Sequence, residues 1–269
     1  MDLQIHRKVA VVTAATANIG RAIAMELARE DATVIAVGRD PVAGQSLIDA
    51  IEAGGGQAIF VMADLLEASS PQKILAAASK FGSVDILVNA LGGNVDQGFF
   101  VNSDPDKWTG DIDLNFGTVL RMTHAVLPLM IEQKHGAIVN IGSTAGLVGD
   151  YMLPVYSAMK GAVHSFTKVL AKEVGQHGVR VNAVAPYATF GQSPDEFSRG
   201  SRFHPDNDFF TSYAASLSPE DRAMRQRKTL LGKPFATPQE ISGLVAYLVS
   251  DKASFVTGQI WSVDAGSLL

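Results

Sequence analysis

The sequence predicts a doubly wound α/β fold, a parallel sheet of about seven strands with helices on both faces. Short runs rich in Val, Ile and Ala alternate with longer stretches of helical periodicity up to about residue 185, the pattern of successive βα units. Proline opens several of the helical stretches, where its missing N–H is not needed. No internal repeat, low-complexity tract or linker interrupts the 269 residues, so a single domain over 1–269 is expected.

The first strand is residues 8–13, an apolar run closed by Thr13, and a turn of small residues leads into a helix at 19–30. The second strand, 33–38, ends at Gly38. Asp40 directly before Pro41 reads as the N-cap of a helix over 41–53, with proline at its first position. Strands at 57–63 and 84–89 flank a helix at 71–81 that also opens on proline. A long helical stretch, 105–134, leads to strand 137–141, and a helix at 155–175 leads to strand 179–184. After a helix at 238–250, a seventh strand is expected at 259–263.

Residues 186–237 break this alternation. Pro, Gly, Ser and Asp mix there with Phe190, Phe197, Phe203, Phe209, Phe210 and Tyr213. Such a segment is too aromatic for simple disorder and reads as a lid that orders over something apolar.

Composition removes several classes of chemistry. Without cysteine there are no disulfides, thiolate metal sites or sulfur nucleophiles, and no metal site is expected. With 27 acidic against 22 basic residues, the chain lacks the positive excess that drives nucleic-acid binding. The apolar run at 9–12 is too short for a secretory signal or a membrane span. A cytoplasmic protein with no nucleic-acid or membrane partner is therefore expected.

Three features carry chemistry. The turn Thr13-Ala14-Ala15-Thr16-Ala17-Asn18-Ile19-Gly20 would aim backbone N–H groups and a helix N-terminus at an anion, typically a pyrophosphate. Only Gly20 is glycine, so the turn by itself fits an ordinary strand-to-helix connection equally well. At the end of the second strand, where an acid would hold ribose hydroxyls, stands Gly38 followed by Arg39. A cation there suits a 2′-phosphate and favours NADP(H), with NAD(H) the alternative; a solvated surface arginine is the plainer reading. Tyr156 and Lys160 lie four apart on one helical face, and Ser143 lies just past the fifth strand, at the sheet edge where open α/β folds bind ligands.

With these residues the chain resembles the single-domain type of the short-chain dehydrogenase/reductase family, a Rossmann fold, over essentially its whole length. The resemblance is carried by Thr13 to Gly20, Ala63-Asp64-Leu65, Asn89-Ala90-Leu91-Gly92 and Asp113-Leu114-Asn115. It continues through Ile138-Val139-Asn140-Ile141-Gly142-Ser143, Tyr156-Ser157-Ala158-Met159-Lys160 and the run Val179 to Pro186. The tail adds Phe255-Val256-Thr257-Gly258-Gln259 and Asp264-Ala265-Gly266.

The resemblance implies an NAD(P)(H)-dependent interconversion of a secondary alcohol and a ketone. Tyr156 would be general acid in reduction and general base in oxidation. An unperturbed phenol near pKa 10 is poorly matched to neutral pH, and Lys160 would favour the phenolate while holding the nicotinamide ribose. Ser143 would hydrogen-bond the substrate oxygen. Asn115 would position a water or a helix kink that relays protons to Lys160. Thr13, Ala15, Asn18, Ile19 and Gly20 would form the phosphate turn, and Asp64 and Leu65 would flank the adenine. Asn89 and Ala90 would line the dinucleotide groove, and Pro186 with Thr189 would border the nicotinamide. Asp64 also fits a strand-end cap, and Asn89 a residue satisfying a turn's backbone. A homotetramer or homodimer through the helices at 105–134 and 155–175 is implied as well.

Several positions depart from the family pattern. Ala14 and Asn18 replace glycines of the phosphate turn, although asparagine tolerates left-handed backbone. Leu91 adds bulk toward the cofactor groove. Tyr187 stands where glycine is usual and would narrow the pocket, stack on a substrate ring or the nicotinamide, or cover the lid. Tyr151 and Tyr187 join Ser143 and Tyr156 as substrate candidates, with Asn94, Met152 and Leu153 added by position.

The aromatic lid suits a cyclic, aromatic or apolar ketone or alcohol. Arg222, Arg225, Arg227 and Lys228 either greet an anionic handle, as a 3-oxoacyl thioester reductase would need, or form a solvated helix face beside Glu220 and Asp221. A non-catalytic NAD(P)H-binding regulator is a third reading, supported only by the altered phosphate turn.

Overall fold

The computed structural model describes residues 2–191, 193, 196, 197, 204, 206, 212 and 215–269. Among them, seven strands form one sheet: β1 Val9–Val12, β2 Thr33–Gly38, β3 Gln57–Met62, β4 Ile86–Asn89, β5 Gly136–Ile141, β6 Val179–Pro186 and β7 Ile260–Val263. Every pairing is parallel and the order is β3-β2-β1-β4-β5-β6-β7. The order reverses between β1 and β4. Chains leaving those two strands diverge, and the crevice between them opens at the carboxyl edge of the sheet.

The strands are mostly apolar, with β1 and β4 apolar almost throughout, because both sheet faces are covered. On one face, α1 Asn18–Arg29, α2 Pro41–Ala53 and α9 Pro238–Val249 bury Ile23, Leu27, Leu47, Ile51, Ile241 and Val245. On the other, α3 Ser70–Ala78, α5 Thr118–Gln133 and α7 Pro154–Val174 bury Ile74, Met122, Val126, Met130, Leu170 and Val174. Asp40 caps α2 as its place before Pro41 predicts, accepting from the backbone N–H of Val42 at 2.9 Å and Ala43 at 3.1 Å.

The stretch 105–134 is not one continuous α-helix. It begins as α4 Pro105–Ile112, passes through a π-helical turn at Asp113–Gly117 and continues as α5. The Asn115 amide explains the break, because it donates to the Asp111 carbonyl at 3.0 Å, one turn back, and to the Gly93 carbonyl at 2.7 Å. The helical stretch Pro105–Gln133 is long and apolar enough to cross a membrane by length and composition, yet the Met122, Val126 and Met130 face packs on the sheet.

Two further short helices are present, of which only the second was anticipated, as a helix face around Glu220 and Asp221. α6 Ala145–Val148 follows β5, and α8 Pro219–Arg225 lies inside the segment predicted to be irregular. The start of α8 is encoded locally: the Ser218 hydroxyl accepts from the Asp221 N–H at 3.0 Å, and Pro219, Glu220 and Asp221 fill the first turn. Of the six aromatics read as a lid, Phe203, Phe209, Phe210 and Tyr213 lie outside the described residues. Phe190 packs on Phe197, with ring centroids 5.2 Å apart, and on Phe235 at 6.1 Å.

Candidate active site

Two adjoining recesses run along the carboxyl edge of the sheet where the strand order reverses. The first is walled by Ala14, Thr16 and Ala17 of the β1–α1 turn, by Gly38 and Arg39 after β2, and by Asp64, Leu65 and Leu91. Neighbouring residues Asn18, Ile19, Ala90 and Gly92 begin the second, which continues past Ser143, Tyr156, Lys160, Pro186 and Thr189.

The β1–α1 turn achieves its shape without the usual glycines. Ala14 and Asn18 take positive φ, 50° and 45°. The α1 N-cap is Ala17, which offers no side-chain acceptor, so the first-turn N–H groups are left for another partner. The Asn18 Oδ1 is buried with no hydrogen-bond partner. Gly20 stands behind the wall, where a Cβ would lie 2.2 Å from the Ala14 carbonyl oxygen. An uncapped helix N-terminus, an orphaned polar atom and a flanking recess fit a dinucleotide whose pyrophosphate meets α1.

Other members of the expected phosphate turn act from behind. The Thr13 hydroxyl accepts from the N–H of Ala90 at 2.8 Å and Leu91 at 3.2 Å, tying the turn to the β4 exit. Ala15 is fully buried and donates its N–H to Val37. Asn89 is a correction: its amide donates to Thr123 at 3.1 Å and Asn140 at 2.9 Å, inside the protein, so it does not line the groove. Both amide hydrogens are spent there because β4 is a central, fully buried strand. Arg39, 71% exposed, lies 3.5 Å from Asp64, whose other oxygen accepts from the Leu66 N–H at 3.0 Å as a strand-end cap would.

At the other end, β5 delivers Ser143 and α7 delivers Tyr156 and Lys160 from one face. Ser143 accepts from the Ala145 N–H at 3.1 Å, and Lys160 donates to the Ile141 carbonyl at 2.8 Å. The Lys160 nitrogen lies 5.7 Å from the Tyr156 ring centre. Gly92 makes room for that nitrogen, since a Cβ there would sit 2.7 Å from it. The Asn115 Oδ1 faces the same space, 3.0 Å from where that Cβ would lie; it accepts from the Gly93 N–H at 3.0 Å and makes no direct bond to Lys160.

Burial dominates the protonation of both groups. It pushes the Tyr156 phenol up to about 12, with Asp150 and Asp111 adding to the rise and a Ser143 hydrogen bond opposing it. It brings the Lys160 ammonium down to about 8. The expected lowering of the phenol by Lys160 is not seen: desolvation sets the direction, and the Ser143 hydrogen bond is what opposes it.

Two expected substrate residues point elsewhere. Tyr151 donates to Asp221 at 3.1 Å and meets Phe99 edge-on, and Tyr187 stacks under the Arg227 guanidinium, 4.5 Å from its carbon. Neither lines the cleft, and neither does Met152, whereas Asn94 and Leu153 do. Asp150, Gln97, Leu217 and Phe235 also line it and were not singled out. They arrive on loops with no periodicity or motif. The arginines at 222 and 225 line the cleft as well, so that part of the basic cluster is not simply a solvated face.

Comparison with known proteins agrees with this geometry. Residues 8–197 match the short chain dehydrogenase family model, and residues 210–267 match a model described as enoyl-(acyl carrier protein) reductase. The chain is 34% identical over 262 residues to the short-chain reductase protein NovJ of Streptomyces niveus, covering 97% of this chain and 94% of that one. It is 34% identical over 265 residues to a 3-oxoacyl-[acyl-carrier-protein] reductase of Synechocystis, covering 97% of each. The crystal structure of gox2181 superposes with a TM-score of 0.83 at 30% identity, covering 99% of this chain and 98% of that one. With a family model spanning most of the chain and a cleft that brings serine, tyrosine and lysine together at the strand-order reversal, this protein belongs to the short-chain dehydrogenase/reductase family and is an NAD(P)-dependent oxidoreductase acting on CH–OH or keto groups.

Proposed function

We propose that the enzyme interconverts an apolar, cyclic or aromatic ketone and its secondary alcohol, with NADP(H) as the favoured cofactor. The observation that carries this reading is the second recess, where Leu153, Phe190, Leu217 and Phe235 provide apolar wall beside Ser143 and Tyr156.

The nicotinamide cofactor supplies the hydride in reduction and accepts it in oxidation. The first turn of α1, with Asn18 and Ile19, would hold its pyrophosphate end, Arg39 would meet a 2′-phosphate, Ala90 would line the dinucleotide groove, and Pro186 and Thr189 would border the nicotinamide. Ser143 donates to the substrate oxygen. Tyr156 gives its phenolic proton to the oxygen in reduction and takes it back in oxidation, with Lys160 stabilising the anion left behind. Asn115 fixes the π turn and the Gly93 backbone around Lys160. The segment 186–237 acts as the lid, and the chain assembles in the cytoplasm as a homotetramer or homodimer through α4, α5 and α7.

A second reading, reduction of a 3-oxoacyl thioester, is favoured by one observation: Arg222 and Arg225 line the cleft, where they suit an anionic handle. Several relatives carry that activity in their names. NADPH consumption measured against cyclic ketones and against a 3-oxoacyl thioester separates the two. Faster turnover of the ketones supports the first reading, and faster turnover of the thioester replaces it with the second. For the cofactor, Arg39→Ala is expected to weaken NADPH more than NADH; an equal effect on both removes Arg39 from 2′-phosphate recognition.

A further inference from the structure

Arg227 does not line the cleft, yet its guanidinium reaches three of the segments that build it. Nη2 donates to the Asp150 carboxylate at 2.5 Å and to the Thr144 hydroxyl at 2.9 Å. The guanidinium carbon lies 4.5 Å from the centre of the Tyr187 ring, and the Tyr187 hydroxyl accepts the Arg227 backbone N–H at 3.0 Å. Each contact is one step from the reacting groups. Thr144 follows Ser143, Tyr187 follows Pro186, and Asp150 lines the cleft with Tyr156.

The chemistry of this cluster is specific to arginine. A flat guanidinium stacks on a ring and binds a carboxylate at the same time, which an ammonium does not do. The side chains of Arg227 and Asp150 are only 20% and 26% exposed, so their attraction is less screened than that of a surface pair. Tyr187 also gains an explanation. It stands where relatives of this type usually have glycine, and a glycine would give Arg227 nothing to stack on.

Even paired with Arg227, the Asp150 carboxylate acts against the phenolate form of Tyr156, and unpaired it would act more strongly. The other charges facing Tyr156 are Asp111 from α4, which acts in the same direction, and Lys160 from its own helix; Arg222 and Arg225 of α8 line the same cleft. We propose that Arg227 is a positioning residue for the acid–base reaction, offsetting part of the Asp150 charge beside Tyr156 and holding the loops of Ser143 and Pro186 through Thr144 and Tyr187. The proposal rests on the reading of Tyr156 as the proton donor.

The test uses the full chain with a fluorinated tyrosine at position 156, whose phenol titrates at lower pH, followed by fluorine NMR without substrate. Arg227→Met is expected to raise the titration midpoint by about one pH unit, the displacement a newly exposed like charge produces. Adding Asp150→Asn to that variant should bring the midpoint back to the wild-type value or below, which a purely structural role would not do. An unmoved midpoint in Arg227→Met, with a native circular dichroism spectrum, overturns the proposal. Should Arg227→Met fail to fold, Arg227→Gln takes its place with the same expected rise, and an unmoved midpoint in that variant overturns the proposal. Failure of the Tyr156 reading would be seen separately, as undiminished turnover in Tyr156→Phe.

Discussion

At the β1–α1 end of the cleft the wall is mostly backbone, with Ala14 and Asn18 at positive φ, an uncapped helix N-terminus and Gly20 wedged behind the turn. At the β5–α7 end it is side chain: a buried serine, a half-buried tyrosine and a buried lysine drawn from two elements. The backbone end needs dihedral angles rather than identities. It therefore absorbs alanine and asparagine in place of glycine, for roughly 1–2 kcal/mol of left-handed strain at Ala14 and less at Asn18. The side-chain end needs groups with particular proton affinities, which few substitutions reproduce.

Substitutions at the side-chain end should therefore have the largest effects. Lys160→Met is expected to lower kcat/KM by about 10²–10⁴-fold and to weaken cofactor binding as well. In the wild type, burial favours the neutral amine, so the ammonium is present below pH 8 and lost above it. Steady-state kinetics should accordingly show kcat/KM for reduction falling as pH rises through about 8.

An intermediate effect is expected from His164, one turn beyond Lys160 on α7. Burial, then the Lys160 charge, hold its imidazole down at about 4. The unfolded chain takes up this proton near pH 6.5 and the folded chain only near 4, so stability is full above pH 6.5 and lost as pH falls between those values. The loss from this group is about 2 kcal/mol at pH 5, measurable by urea unfolding at pH 5 and 8. His164→Leu should remove that part of the pH dependence.

The smallest effect belongs to the backbone end. Ala14→Gly relieves the strain but adds unfolded-state freedom, leaving a net gain of about 0.5–1 kcal/mol in denaturant unfolding. A loss of stability instead would mean that the turn is not strained at Ala14.

The same contrast explains what was legible in the sequence. Strands buried on both faces read as apolar runs, Asp40-Pro41 announced its cap, and Tyr156 with Lys160 kept helical spacing. The features that escaped depend on distant partners. Asn89 finds Thr123 and Asn140, 34 and 51 residues away, and Asn115 bends its helix by bonding to Gly93, 22 residues back. Tyr187 meets Arg227 across 40 residues. Local pattern places such side chains on an element but does not say which way the fold turns them.

The most direct measurement pairs turnover with cofactor binding in Tyr156→Phe, which removes one oxygen and leaves the ring. NADPH consumption with a ketone that the wild type reduces should fall by about 10²–10⁴-fold, while cofactor affinity measured by calorimetry stays close to wild type. Turnover equal to wild type would contradict the assignment of Tyr156 as the proton donor.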